Sequence, residues 1–160
     1  MIFGFIAIVG LIAGIFIAKY AKEELKNGEK WFSLLNCLII LALIIVSFKI
    51  NLNIAGLIIG LVFGLLVKKE YFYFGIGIAS LINKNINFLY SILVFLYGMP
   101  YGSLIYYKKQ LKNITFDIVL FLIPALLYFL SADLTSFSAG GLIGILIFKI
   151  KESYSCFLKA

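Results

Sequence analysis

The stretch YFYFGIGIASLIN, Tyr71 to Asn83, decides how the rest of the chain is read. It is aromatic and apolar and carries no charge, which suits a buried helix. It is also short, because a helix needs about 20 residues at 1.5 Å each to cross a hydrocarbon core about 30 Å thick. If it crosses a membrane, every later segment faces one way; if it lies in the interface, every later segment is inverted.

The chain around it favours a membrane. Of its 160 residues, 64% are hydrophobic and 13% are charged, with a mean hydropathy of +1.12, whereas soluble domains are about 45–50% apolar. An integral membrane protein is expected. Seven apolar segments follow one another: Ile2 to Ala18, Trp31 to Phe48, Leu52 to Val67, Tyr71 to Asn83, Phe88 to Tyr107, Thr115 to Leu130 and Ser136 to Phe148.

Lysine placement tests the fourth segment, since short cytoplasmic loops carry the excess of positive charge. All fourteen basic residues are lysines. With seven crossings, Lys19, Lys22, Lys26, Lys30, Lys68, Lys69, Lys108, Lys109, Lys112, Lys149, Lys151 and Lys159 share one side and only Lys49 and Lys84 the other. With the fourth segment in the interface the division becomes seven against seven and the bias disappears. The expected fold is therefore an all-α integral membrane protein of seven transmembrane helices, the fourth short, N-terminus outside and C-terminus in the cytoplasm. The expected location is the cell membrane, multi-pass, as a single domain spanning residues 1–160.

Composition removes several kinds of chemistry. There is no histidine and no arginine, so imidazole catalysis and the commonest metal ligand are absent. Cys37 and Cys156 match no ligand spacing, and no catalytic residue, metal or cofactor is expected. The lysines fall between apolar runs and set orientation, so the expected partner is the lipid bilayer and not nucleic acid. The first segment has no positive charge ahead of it and no small-residue cleavage site behind it, and it reads as a retained span. AKYAKEELKNG is expected to prolong the first helix beyond the bilayer, with a Lys19/Glu23 pair and a stop at Asn27-Gly28. The Lys-, Ile- and Asn-rich usage suits an AT-rich prokaryotic or archaeal genome.

Comparison of the halves reveals an ordered set of matches. Gly10-x3-Gly14 corresponds to Gly98-x3-Gly102, Leu25-Lys26 to Leu111-Lys112, Gly56-x3-Gly60 to Gly140-x3-Gly144, and Lys69-Glu70 to Lys151-Glu152. Two readings fit: chance similarity among glycine-containing membrane helices, or two three-helix repeats, about residues 1–70 and 88–153, joined by an inverter helix at 71–84. The repeat reading resembles the three-plus-one-plus-three plan of the SWEET and PQ-loop sugar facilitators. That resemblance implies a small-solute transporter. It is one of architecture, since the Pro-Gln pair of those families is replaced by Pro100-Tyr101 and has no counterpart in the first helix.

Candidate functional residues centre on GMPYGSLIYY, Gly98 to Tyr107. Pro100 and Pro124 each remove a backbone donor, freeing a carbonyl that lipid cannot satisfy. Tyr97 and Tyr101 fall mid-span, and with Ser103 they are expected either to line a solute pathway hinged at Pro100 or to fill a packing kink. Gly10, Gly14, Gly56, Gly60, Gly64, Gly98, Gly102, Gly140 and Gly144 are expected to serve helix packing, within the chain, in a homo-oligomer or against a membrane-complex partner.

Asp117 and Asp133 are placed at helix ends, as dipole and cap residues. Asp117 with Ile123-Pro124 resembles the first acidic motif of type IV prepilin peptidases, but Ala125 replaces the asparagine of that motif and no Gly-x-Gly-Asp exists. Two aspartates at opposite ends of one helix stand about 24 Å apart, too far for a shared site, and an enzyme is not expected. With no carboxylate or imidazole mid-span, the expected function is a facilitator of a small uncharged solute. A noncatalytic scaffold subunit of a larger membrane complex is the alternative.

Overall fold

The computed structural model describes residues 2–49, 53–81, 85–127 and 134–158. Among these the chain is all-helical, without strands: α1 (Ile2–Tyr20), α2 (Lys22–Phe48), α3 (Ile54–Leu66), α4 (Glu70–Ser80), α5 (Asn87–Tyr107), α6 (Leu111–Leu127) and α7 (Thr135–Leu158). Leu52, Asn83, Lys84, Leu130, Asp133 and Lys159 lie outside the described residues. Among the described residues two helices, over Gly28–Phe48 and Asn87–Tyr107, are long and apolar enough to cross a membrane.

The boundary between α1 and α2 differs from the expected one. α1 ends at Tyr20, the chain bends at Ala21 (φ −110°, ψ 39°), and AKEELKNG runs into α2 instead of prolonging α1. Lys19 and Glu23 thus belong to different helices. No described glycine has a positive φ, so Gly28 provides no left-handed C-cap and the helix passes through it. Leu25 is buried, which ties this polar segment to the bundle.

Packing is interleaved. α1 lies along α5 and α3 along α7, while α2 fits between α5 and α7. α1, α2 and α3 scarcely touch one another, so the first three helices do not form a bundle of their own. The glycines explain the pairing. A methyl group at Gly10 or Gly14 would collide with the carbonyls of Phe95 or Met99 on α5, and one at Gly60 or Gly64 with those of Phe137 or Gly141 on α7. Gly98 and Gly102 answer from α5 against Leu11, and Gly140 and Gly144 from α7 against Leu57 and Leu61; Gly56 meets Ser136. Backbones this close gain dispersion along their whole length, the means by which helices associate where burial from water offers little.

The fourth segment is the centre of the molecule. α4 has 11 residues, eight of them buried, and it packs against α6 and α7 with smaller contacts to α5 and α1. Gly75 admits the Phe121 carbonyl and the Pro124 ring of α6, and Gly77 admits the ring of Tyr90. At 1.5 Å per residue α4 is about 16 Å long, and only its Phe72, Ala79 and Ser80 are partly exposed.

Contacts between helix ends show that the helices alternate in direction. Lys108, just past α5, pairs with Glu29 in α2 at 2.9 Å; Lys149 of α7 pairs with Glu70, the first residue of α4, at 2.9 Å; Lys69 pairs with Asp117 of α6 at 3.5 Å. At the other end, the Asn53 N–H ahead of α3 donates to Ser136 Oγ at the start of α7, 2.8 Å away.

Candidate functional site

The functional candidates converge where α4 begins. Val67 (φ −102°, ψ 91°) and Lys69 (φ −122°, ψ 99°) are extended, and they carry the chain inward before α4 starts. Tyr101 stands six residues before the end of α5 and Asp117 six residues after the start of α6, each about 9 Å from its helix terminus. The start of α4 therefore lies inside the bundle. Lys69 makes no side-chain cap to it, so its positive dipole end and free N–H groups favour carboxylates nearby.

Two carboxylates are there. Asp117 is 1% exposed and Glu70 7%. The Tyr101 hydroxyl donates to Asp117 Oδ2 at 2.7 Å. Asp117 Oδ1 lies 3.5 Å from Lys69 Nζ and has no hydrogen bond, so that contact is Coulombic. Glu70 Oε1 receives Lys149 Nζ at 2.9 Å. Two unit charges 4 Å apart attract by roughly 4 kcal/mol at an effective dielectric of 20, which desolvation largely offsets. The four charges sum to zero.

A tyrosine cluster fills the space between the pairs. The rings of Tyr97 and Tyr101 stack with centroids 5.4 Å apart, Tyr71 stands 5.4 Å from Tyr101 and 6.2 Å from Tyr97, and Phe74 meets Tyr97 at 4.9 Å. Lys149 Nζ lies 5.4 Å from the centroid of Tyr97 and 5.5 Å from that of Tyr101. Tyr71 and Tyr97 are both fully enclosed; the Tyr71 hydroxyl has no hydrogen-bond partner, and the Tyr97 hydroxyl lies beside the Glu70 carboxylate without a well-formed hydrogen bond. A buried polar group in that state costs about 1–3 kcal/mol, and it is satisfied by a water or ligand that brings a partner.

A second polar layer is better bonded, although the Tyr73 hydroxyl and Asn87 Nδ2 have no hydrogen-bond partner there. Ser138 Oγ donates to the Tyr73 carbonyl at 2.7 Å and lies 3.4 Å from the Tyr90 hydroxyl, joining α7, α4 and α5. Ser47 Oγ donates to the Leu43 carbonyl at 2.9 Å.

The residues singled out in the sequence divide between these places. Tyr97 and Tyr101 enter the cluster. Pro100 is buried within an uninterrupted α5. Ser103 faces the α1 seam, its hydroxyl 2.8 Å from the Gly14 carbonyl and 3.0 Å from that of Met99. Pro124 packs on Gly75. Asp117 belongs to the site and not to a helix cap, while its partner in the peptidase reading, Asp133, lies outside the described residues.

Lys69, Glu70 and Lys149 entered the sequence reading only as repeat or topology markers and Tyr71 only as a segment start, because each sits near a segment edge, where polar residues are commonplace. One signal was present. Acids are scarce, seven in the chain, and Glu70 and Asp117 border apolar segments that need no acid. Among the described residues no group of three or more His, Cys, Asp or Glu could hold a metal ion. Comparison with known proteins gives no matching family model, no matching curated protein and no matching solved structure.

Proposed function

We propose that the chain is a multi-pass protein of the cell membrane that facilitates passage of a small polar solute, with the Tyr71, Tyr97 and Tyr101 cluster as its binding site. The outward faces support the membrane reading. Phe5, Phe16, Leu38, Ile45, Ile58 and Leu66 are exposed, whereas Asn36, Ser91, Ser103, Asp117 and Ser138 are buried, the reverse of a soluble protein. The alternating helix ends agree with seven crossings and with the lysine-rich end in the cytoplasm. α4 is too short to span, but protein covers it, and a short helix starting within the bundle exposes no backbone to lipid. The sequence matches between halves support two interleaved repeats, because the helices that correspond, α1 with α5 and α3 with α7, are the pairs that pack most extensively.

The observation that carries the function is the enclosed Tyr71 and Tyr97 hydroxyls, neither in a well-formed hydrogen bond, between two half-buried ion pairs. The ground for an uncharged solute, the absence of interior carboxylates, is gone, since Glu70 and Asp117 are interior. Reconstituted liposomes test the reading with labelled sugars, amino acids and amines. Flux of one solute, reduced by Tyr97→Phe, is expected; no flux of any solute would sink it.

One observation favours a scaffold subunit instead. α3 exposes Ile54, Ile58, Ile59, Val62, Phe63 and Leu66 and has α7 as its one extensive partner. A stoichiometric partner retained through mild-detergent purification supports that reading, and a homogeneous monomer or homodimer counts against it.

A further inference from the structure

We propose that the solute is a primary ammonium compound, and that it exchanges with the Lys149 side chain at Glu70 and at the faces of Tyr97 and Tyr101. The inference rests on the transport reading for its consequence and on the cluster for its chemistry.

Lys149 already shows how the site holds an ammonium. Its Nζ makes a 2.9 Å ion pair with Glu70 and lies within 6 Å of two tyrosine ring centroids, the distance at which an aromatic face attracts a cation. A primary ammonium has three N–H donors, so beyond Glu70 it has two left for acceptors. In the same cluster the Tyr97 hydroxyl lies beside the Glu70 carboxylate without a well-formed hydrogen bond, and the Tyr71 hydroxyl has no partner. The set of one carboxylate and two aromatic faces, with the Tyr97 hydroxyl beside them, suits a primary ammonium. Lys149 is tethered from α7, and among the described residues its ion pair is with Glu70.

Charge determines that the process is an exchange. Lys69, Lys149, Glu70 and Asp117 balance, so a cation added without loss of another would leave a buried excess charge. Lys149 is the group that can leave, because its side chain is 20% exposed while that of Glu70 is 9% exposed, and a lysine stem lets the ammonium move to water. An anionic solute would instead meet two buried carboxylates, which like-charge repulsion disfavours.

Thermal unfolding of the purified protein, titrated with ethylammonium chloride, tests the site directly. At tenfold excess over Kd the wild type is expected to gain roughly 4 °C in Tm, with sodium chloride and tetramethylammonium chloride giving no such gain. Lys149→Ala removes the competitor and is expected to bind ethylammonium about tenfold more tightly, and Glu70→Gln to lose the effect. Equal responses to ethylammonium and sodium, equal responses to ethylammonium and tetramethylammonium, or a response to sodium acetate traced to the acetate would each overturn the proposal. If Lys149→Ala does not fold, Lys149→Gln and the wild-type titration decide. Liposome flux separates the two readings. Ethylammonium binding without movement of any solute overturns transport and leaves the site, whereas flux of a neutral solute without ethylammonium binding overturns the site and leaves transport.

Discussion

The glycine seams and the tyrosine cluster are built on opposite rules. Along α1–α5 and α3–α7 the backbones touch and the polar groups are few and bonded, as with Ser103 on the Gly14 carbonyl. At the start of α4 the side chains are large, four charges are buried or half-buried, and two enclosed hydroxyls make no well-formed hydrogen bond. Close packing specifies one structure, whereas a cluster with open hydrogen-bonding capacity is able to accept something else. The difference separates the part of the molecule that holds shape from the part that can act.

The contrast is easiest to break at a seam. Gly60→Leu would drive a side chain into the Phe137 carbonyl, and since α3 has no other extensive partner, a loss of roughly 3 kcal/mol or more is expected. Denaturant titration in detergent measures it; a loss under about 1 kcal/mol would mean that α3 is not held through its glycines.

Glu70→Gln is expected to cost about 1.5–3 kcal/mol, the loss of a charge-assisted contact, since the Lys149 ammonium can turn toward water. The double variant Glu70→Gln with Lys149→Met should recover most of that loss, and additive losses would show that the pair is not coupled. Tyr101→Phe removes a hydrogen bond to a charged acceptor and should cost about 1.5–3 kcal/mol. Tyr97→Phe is the sharper probe, since it keeps the stacked ring and removes only a hydroxyl beside Glu70 that makes no well-formed hydrogen bond. Stability should hold within about 0.5 kcal/mol while solute binding and flux fall; an equal fall in stability would make Tyr97 a packing residue only. The smallest effect belongs to Lys108→Ala, whose ion pair with Glu29 is 45% and 36% exposed and is expected to contribute at most about 1 kcal/mol at low salt, read from the unfolding midpoint.

Much of the packing was legible before the structure because it depends on spacing. Gly10-x3-Gly14 and Gly98-x3-Gly102 each place two glycines on one helix face, so the sequence indicates which faces admit a backbone. It does not say which face meets which, and the interleaving of the first three helices with the last three rests on shape. Tyr97 and Tyr101 were also legible, as an i, i+4 pair in mid-helix. Glu70, Asp117 and Lys149 were not, because depth is not a property of position along the chain. Each lies near a segment edge, and each becomes interior when neighbouring helices extend past it.

The sequence by itself determined an all-helical chain of seven apolar segments, with charge gathered at one end of each, because hydropathy and lysine placement are local properties. Only the tertiary structure decided that α4, which covers most of the doubtful segment Tyr71 to Asn83, is largely buried among α5, α6 and α7. Two glycines let α6 and Tyr90 close over it, and its first residue meets a lysine from α7, nearly eighty positions away. That meeting depends on how the helices pack around α4, which no local pattern encodes.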